Sequence, residues 1–478
     1  MFQSTSPFLL FDFFRVPYEC RDVRSDAHVP GATGFLYSSA DGPRLFWSIA
    51  PCSPSTDLSP DAYTVANVRL FGTVVPDVAL EDRLAQLGGT WRRDIAIRDG
   101  RGNTAGSIWR RADGSVFLPF DPDEIINTYL SERYKTLGRR APLVRLEGLA
   151  RASYYRLRPM LPRSAQMRFR RSFSKVQAKV PFPAWPTETA LHDFYRLLFS
   201  FVAEIAGEPV PTLAPWPRNF KWALVLTHDV EGAEGLKNLL RLLEVERQRG
   251  YRSSWNFVPE NKASADEGLI AELRQGGFEV GVHGLVHDGR DIASHRTFKS
   301  RLPRIHQYAE RWQASGFRSP ATLRSWELMP LLGFDYDSSY SDTAPYEPQP
   351  GGCCSWLPYM INDLVELPIT LPQDHTLFEI LGHVDAGVWL QKAHFLRDQG
   401  GMALILTHPD YIGNERLLSS YVKVLDEFAD DETAWRVLPR DISAWWRRRA
   451  ATTLRRVEGE WKLDGPASDE AAVAFVGA

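Results

Sequence analysis

The stretch WALVLTHDVEG, Trp222 to Gly232, decides how the second half of this chain reads. Six mostly apolar residues, Trp222 to Thr227, have the length and composition of a strand buried on both faces. They run straight into His228, Asp229, Val230 and Glu231. A buried strand does not carry an imidazole and two carboxylates at its tip for packing alone, because each costs free energy to desolvate. Six further apolar runs follow: SSWNFV, FEVGVHG, GFRS, FDYDSSY, LVELPITL and MALILTH. Helical patterns such as GLKNLLRLLEVERQRG, DEGLIAELRQGG and RTFKSRLPRIHQYAERWQASG lie between them. Seven βα units in about 220 residues predict a mainly parallel sheet, open or closed into a distorted (β/α) barrel.

The rest of the chain reads differently. Residues 1–134 carry short β-rich runs with Gly and Asp-Gly punctuation, such as AYTVANVRLFGTVV and GSIWRRADGSVFLPF, and a capped helix start in DPDEIINTYLSERY. This predicts a smaller β-rich or α+β domain. Residues 135–215 form a basic, partly helical and Pro-rich connecting region, residues 216–445 the barrel, and residues 446–478 a tail with short strands. The 478 residues are 44% hydrophobic and 24% charged with a net charge of −3, the balance of an ordinary globular protein. The N-terminal stretch lacks the basic start and small-residue cleavage site of a signal peptide, and no apolar run reaches the ~18 residues that a membrane span needs. The four cysteines, Cys20, Cys52, Cys353 and Cys354, have neither disulfide-framework nor zinc-finger spacing and are expected as reduced thiols. These features point to a cytoplasmic protein.

The polar anomalies gather where a barrel would place them, at the C-terminal ends of strands. The third strand runs into HGLVHDG, whose His283 and His287 have a spacing that aims two imidazoles at one ion from a helical turn. A third, oxygen ligand from Asp229 or Glu231 would complete a site that keeps one position open for water. Whichever carboxylate does not bind the ion is free to act as a base. Arg318 follows the fourth strand and can clamp a carboxylate with two parallel hydrogen bonds. His408 follows the last strand, in a second LTH triplet, and can donate a proton.

In these segments the chain resembles the polysaccharide deacetylase family, the NodB-homology or carbohydrate esterase family 4 domain. THDVE is similar to its first motif, HGLVH to its second, RSPA to its third and LTH to its fifth, in the family's order over roughly residues 220–440. The resemblance implies hydrolysis of N-acetyl or O-acetyl groups on a sugar, polysaccharide or lipid- or nucleotide-linked glycan precursor, with one divalent metal ion, usually Zn2+. It makes Asp229 the catalytic base, His408 the acid and Arg318 the group that orients the base. His283 and His287 become metal ligands with Glu231, or with Asp229 in place of Glu231, since Val230 stands where the family places its second carboxylate. Substrate contacts fall to His228, Ala321 and Asp374. Three departures stand out: Gly284 replaces Ser or Thr in the second motif, Ala321 replaces Tyr in the third, and the fourth is reduced to Asp374 in LPQDHTLFE. Two other classes fit the same residues, an amidohydrolase acting on a non-sugar C–N bond and a glycan-binding relic without activity.

The stretch from Lys135 to Lys179 holds thirteen basic residues against Glu147 alone, interleaved with Leu, Tyr, Met and Phe. No nucleic-acid-binding module accompanies it. The pattern predicts peripheral contact with an anionic membrane, at its inner face for a cytoplasmic protein.

Overall fold

The computed structural model describes residues 1–20, 33–49, 60–137, 163–261 and 264–477. Cys52 and residues 138–162 of the basic stretch lie outside them. The chain groups into two compact units, one of residues 1–150, 189–214 and 448–478, the other of residues 151–188 and 215–447. The linear order expected from the sequence is therefore interleaved: the C-terminal tail joins the N-terminal unit, and the connecting region is shared between the two.

The first unit is built on a mixed nine-stranded sheet. Its hairpin Asp61–Val65 and Val68–Gly72 turns through Ala66 and Asn67, both at positive φ, as a tight two-residue turn requires. Helix Pro122–Leu130 starts at the expected cap, where the Asp121 side chain accepts the Asp123 N–H. The tail supplies strand Val473–Val476, which pairs antiparallel with Val210–Leu213.

The second unit is a distorted (β/α) barrel. Seven of its eight described parallel strands are β1 (Trp222–Val230), β2 (Ser254–Phe257), β3 (Glu279–Val282), β4 (Gly316–Phe317), β5 (Tyr336–Asp337), β6 (Leu364–Glu366) and β7 (Met402–Thr407), and the eighth, Ala434–Arg436, pairs with the start of β1. All seven fall on the apolar runs read from the sequence. Helices α1 (Ala233–Gln248), α2 (Glu267–Gln275), α3 (His295–Trp312), α4 (Gly387–Asp398) and α5 (Glu415–Glu427) lie between or after them. Every residue of β1, β2, β3 and β7 is buried, which explains their unbroken apolar character. β7 lies beside β1, so the two LTH triplets sit side by side. Between β6 and β7 the ring closes through few bonds: the Leu371 N–H donates to the Leu404 carbonyl (3.0 Å), and the Thr370 hydroxyl bridges the Met402 carbonyl and the Leu404 N–H.

Glu279 opens β3 at the end away from the mouth and is 2% exposed. It accepts from the Tyr336 hydroxyl (2.6 Å) and the Arg440 N–H (3.1 Å). Burial pushes its carboxyl up to about 7, and those two donors offset this only in part. The unfolded value is about 4.3, so between the two values the folded chain holds more protons and stability falls as pH rises. The Glu279→Gln variant removes this titration. Urea unfolding at acid and at mildly alkaline pH should show the variant gaining on the native protein, by on the order of 3 kcal/mol across the window.

Candidate active site

Asp229 is the last-but-one residue of β1 and is 1% exposed. Its Oδ1 accepts from the Asn256 amide (2.8 Å) and from Arg318 Nη1 (3.1 Å). Arg318, also 1% exposed, spends its remaining donors on Thr227 Oγ1 (2.9 Å), the Ser338 carbonyl (2.7 Å) and Ser338 Oγ (2.8 Å). Only one guanidinium nitrogen meets the carboxylate, so the two-pronged clamp expected from the sequence is corrected to a single contact. Burial alone would raise the Asp229 carboxyl, but His283, Arg318, His408 and the Asn256 amide together hold it below its ordinary value. The group is therefore ionised at neutral pH, with Oδ2 turned toward His283 Nε2 at 3.7 Å.

Glu231 stands just beyond the strand, at the entry to α1. Asp410, from the segment after β7, accepts the Glu231 N–H (3.0 Å) and fixes its backbone. Its Oε1 lies 2.8 Å from His287 Nε2, 3.8 Å from His283 Nε2 and 3.7 Å from His408 Nε2. Burial raises this carboxyl, yet His287, His283 and His408 outweigh it and hold it well below the usual range. His283 gives its Nδ1 side to the Arg318 carbonyl (3.1 Å), which leaves the Nε2 lone pair pointing inward. That Nε2 is buried and has no hydrogen-bond partner among the described residues. Ligand atoms of Glu231, His283 and His287 all lie within 4.8 Å of one another. An orphaned imidazole nitrogen beside a carboxylate and a second imidazole is a donor set that fits a divalent cation of the zinc type.

His408 sits opposite this trio. Asp374 grips it twice, accepting its backbone N–H on Oδ2 (2.6 Å) and its ring Nδ1–H on Oδ1 (2.6 Å). Burial by itself lowers the imidazole, but Asp374, Glu231 and Asp229 lift it to about 10. The ring is thus protonated at neutral pH, with Nε2 toward the trio. Beside it, His375 is pushed down to about 4, first by burial and then by the charges of His408 and Arg170.

The structure brings Asp229, Glu231, His283, His287, Arg318 and His408 into one cluster and separates others from it. His228 was expected beside a substrate. It is instead fully buried on the opposite face of β1, with Nδ1 on Thr407 Oγ1 (2.7 Å) and Nε2 on Glu246 Oε1 of α1 (2.7 Å), against the Trp255 ring. Asp374 too is corrected: at 0% exposure, with both oxygens spent on His408, it positions that ring rather than a substrate. Ala321 lies in the turn after Arg318 at φ 56, a left-handed conformation costly for a residue with a Cβ. Sequence reasoning missed Asn256. The available signals were a polar residue near the tip of SSWNFV and a glycine in the next strand. Gly281 pairs with Asn256, and a Cβ there would come within 2.1 Å of the amide oxygen.

No protein-family model matches this sequence, and none of the curated proteins does. Among solved structures it is similar to a protein from Mycobacterium smegmatis described provisionally as a polysaccharide deacetylase, at 22% identity over 49% of this chain and 93% of that one, with a TM-score of 0.41. A Pseudomonas aeruginosa PAO1 protein, likewise provisionally described as a polysaccharide deacetylase, gives 16% identity over 51% and 95% of the two chains, TM-score 0.39. The allantoinase PuuE gives 16% identity over 48% and 92%, TM-score 0.40.

The Gly284 departure has a steric cause. Its φ is +63°, and a Cβ would lie 2.4 Å from Asp291 Oδ2 and 2.6 Å from Pro320 Cδ. The Gly284→Ser substitution, which writes the commoner residue into the second motif, should therefore destabilise the protein by about 2–4 kcal/mol in urea unfolding.

Proposed function

We propose that this chain is a metal-dependent hydrolase that removes N-acetyl, or O-acetyl, groups from a sugar or glycan precursor. The observation that carries the reading is the orphaned His283 Nε2, buried between Glu231 and Asp229 and faced by His287 and His408. Glu231, His283 and His287 would hold the ion, and zinc suits two imidazoles and one carboxylate. When bound, such a cation lowers the pKa of water and polarises an acyl oxygen.

The remaining work falls to side chains. Asp229 is ionised and oriented by Arg318 and Asn256 through Oδ1, so Oδ2 is left to take the proton of an attacking water. His408 is charged and fixed by Asp374 through Nδ1, so Nε2 can deliver a proton to the departing sugar amine or hydroxyl. An acid and a base poised on two sides of one cluster match the two proton transfers that amide hydrolysis needs. Backbone N–H groups near the Ala321 turn are the candidate partners for the developing oxyanion. The products are acetate and the deacylated sugar.

Two experiments test this. Purified protein should contain about one equivalent of a divalent metal by elemental analysis, and chelation should abolish acetate release from N-acetylated sugars until zinc is restored. The His283→Ala variant should lose both metal and activity. Metal without acetate release would assign the same apparatus to a non-sugar C–N bond, and a protein that takes up no metal overturns the reading. Separately, Asp229→Asn should keep its metal while kcat falls 10²–10⁴-fold, roughly the contribution of a positioned base.

A further inference from the structure

The part of the basic stretch that the structure describes contains helix Arg163–Gln177, which belongs to the barrel unit. Its faces are inverted relative to an ordinary surface helix, which turns its apolar stripe inward. The side facing the barrel carries Ser174 and Gln177, both buried, and the half-buried Arg170. The side facing solvent carries Phe169, 54% exposed, Phe173, 37%, and Val176, 59%, and the stripe continues one turn further to Val180, 43%. Phe169, Phe173 and Val176 fall at i, i+4 and i+7, on one line of the helix, and Val180 follows past its end. The Phe169 and Phe173 rings are parallel, 6.2 Å apart and 4° from coplanar. Arg168, Arg171, Lys175 and Lys179 flank them, all exposed, and no acidic residue occurs between Arg163 and Val180.

Three polar contacts anchor the helix beside the barrel mouth. Arg170 Nη2 donates to the Tyr346 carbonyl (3.3 Å), Arg171 Nε to the Glu379 carbonyl (2.9 Å) and Gln177 Nε2 to the Glu347 carbonyl (3.4 Å). Glu379 lies in the turn His375–Ile380, which begins directly after Asp374, the residue that grips His408. A continuous stretch of chain thus connects the helix to the proton donor.

We infer that helix Arg163–Gln177 and the turn to Val180 form a membrane-docking surface for an anionic lipid bilayer, with Phe169, Phe173 and Val176 entering the headgroup boundary and the flanking basic residues meeting lipid phosphates. An exposed apolar stripe rimmed by one sign of charge matches that surface, which is apolar beneath and negative above. A neutral protein partner does not ask for the basic rim, and a single-stranded nucleic acid stacks on aromatic rings, whereas this stripe continues through the aliphatic Val176 and Val180. The placement beside the mouth implies that the acylated glycan is presented from the same bilayer on a lipid carrier. This last step rests on the deacetylase reading; the docking does not.

Full-length protein should co-sediment with phosphatidylcholine vesicles containing about one third phosphatidylglycerol and remain in solution with pure phosphatidylcholine. The Arg168→Ala, Lys175→Ala, Lys179→Ala variant should bind the anionic vesicles about 100-fold more weakly, at roughly fivefold per charge. The Phe169→Ser, Phe173→Ser variant should lose at least about tenfold. Both should keep the native unfolding midpoint and native acetate release from a soluble substrate. Failure to sediment with anionic vesicles, equal sedimentation with neutral ones, undiminished binding by the phenylalanine variant, or tighter binding to a short DNA duplex overturns the docking. Since vesicle binding is read without any turnover, its failure and that of the deacetylase reading are told apart.

Discussion

A guanidinium with 1% of its surface exposed is the constraint on which this site depends. Arg318 carries a fixed positive charge, and an unpaired charge at that depth costs several kcal/mol. The barrel surrounds it with oxygens from two strands or their continuations: Asp229 and Thr227 from β1, and the Ser338 carbonyl and hydroxyl after β5. Its own carbonyl then takes the Nδ1 side of His283. One residue thus helps hold the Asp229 carboxylate ionised through its side chain and orients the His283 imidazole through its backbone. Replacing it would disturb both contacts at once, so neither can be altered independently of the packing around it.

How far the sequence disclosed all this depends on distance along the chain and on strand parity. The seven strands were legible because each is apolar on both faces, so no alternation had to be deciphered. His283, His287, Asp229 and Glu231 were legible because they are near neighbours at the tips of those strands. His228 misled for a reason of parity. Adjacent residues on a strand point to opposite faces. With Asp229 paired to Asn256 on the inner face, His228 is paired to Trp255 on the outer one. It therefore meets Glu246 of α1 instead of the mouth. Asn256 and the true office of Asp374 needed the register of β2 and the closure of β6 on β7, neither of which local patterning reveals. The first unit was read only as β-rich or α+β, because its sheet order joins segments far apart in sequence, as in the pairing of Leu45–Trp47 with Val116–Leu118.

The two LTH triplets show how one local device serves two ends. In both, a threonine hydroxyl sits one residue before the imidazole and ties β1 to β7: Thr227 donates to the Ile405 carbonyl (2.8 Å), and Thr407 bonds His228 (2.7 Å). After β1 the imidazole turns outward and becomes structural, and the aspartate that follows turns inward. After β7 the imidazole itself turns inward. The same three letters thus yield an outer brace on one strand and, on its neighbour, a charged imidazole facing the cluster.

The seam between β6 and β7 gives Asp374 a second role. Its carboxylate reaches from the chain that follows β6 to the chain that follows β7, across the place where the ring is held by the fewest main-chain bonds. It is therefore a latch as well as a partner for the imidazole. The clasp is an ion pair when His408 is charged, so the proton on the ring and the strength of the seam are linked.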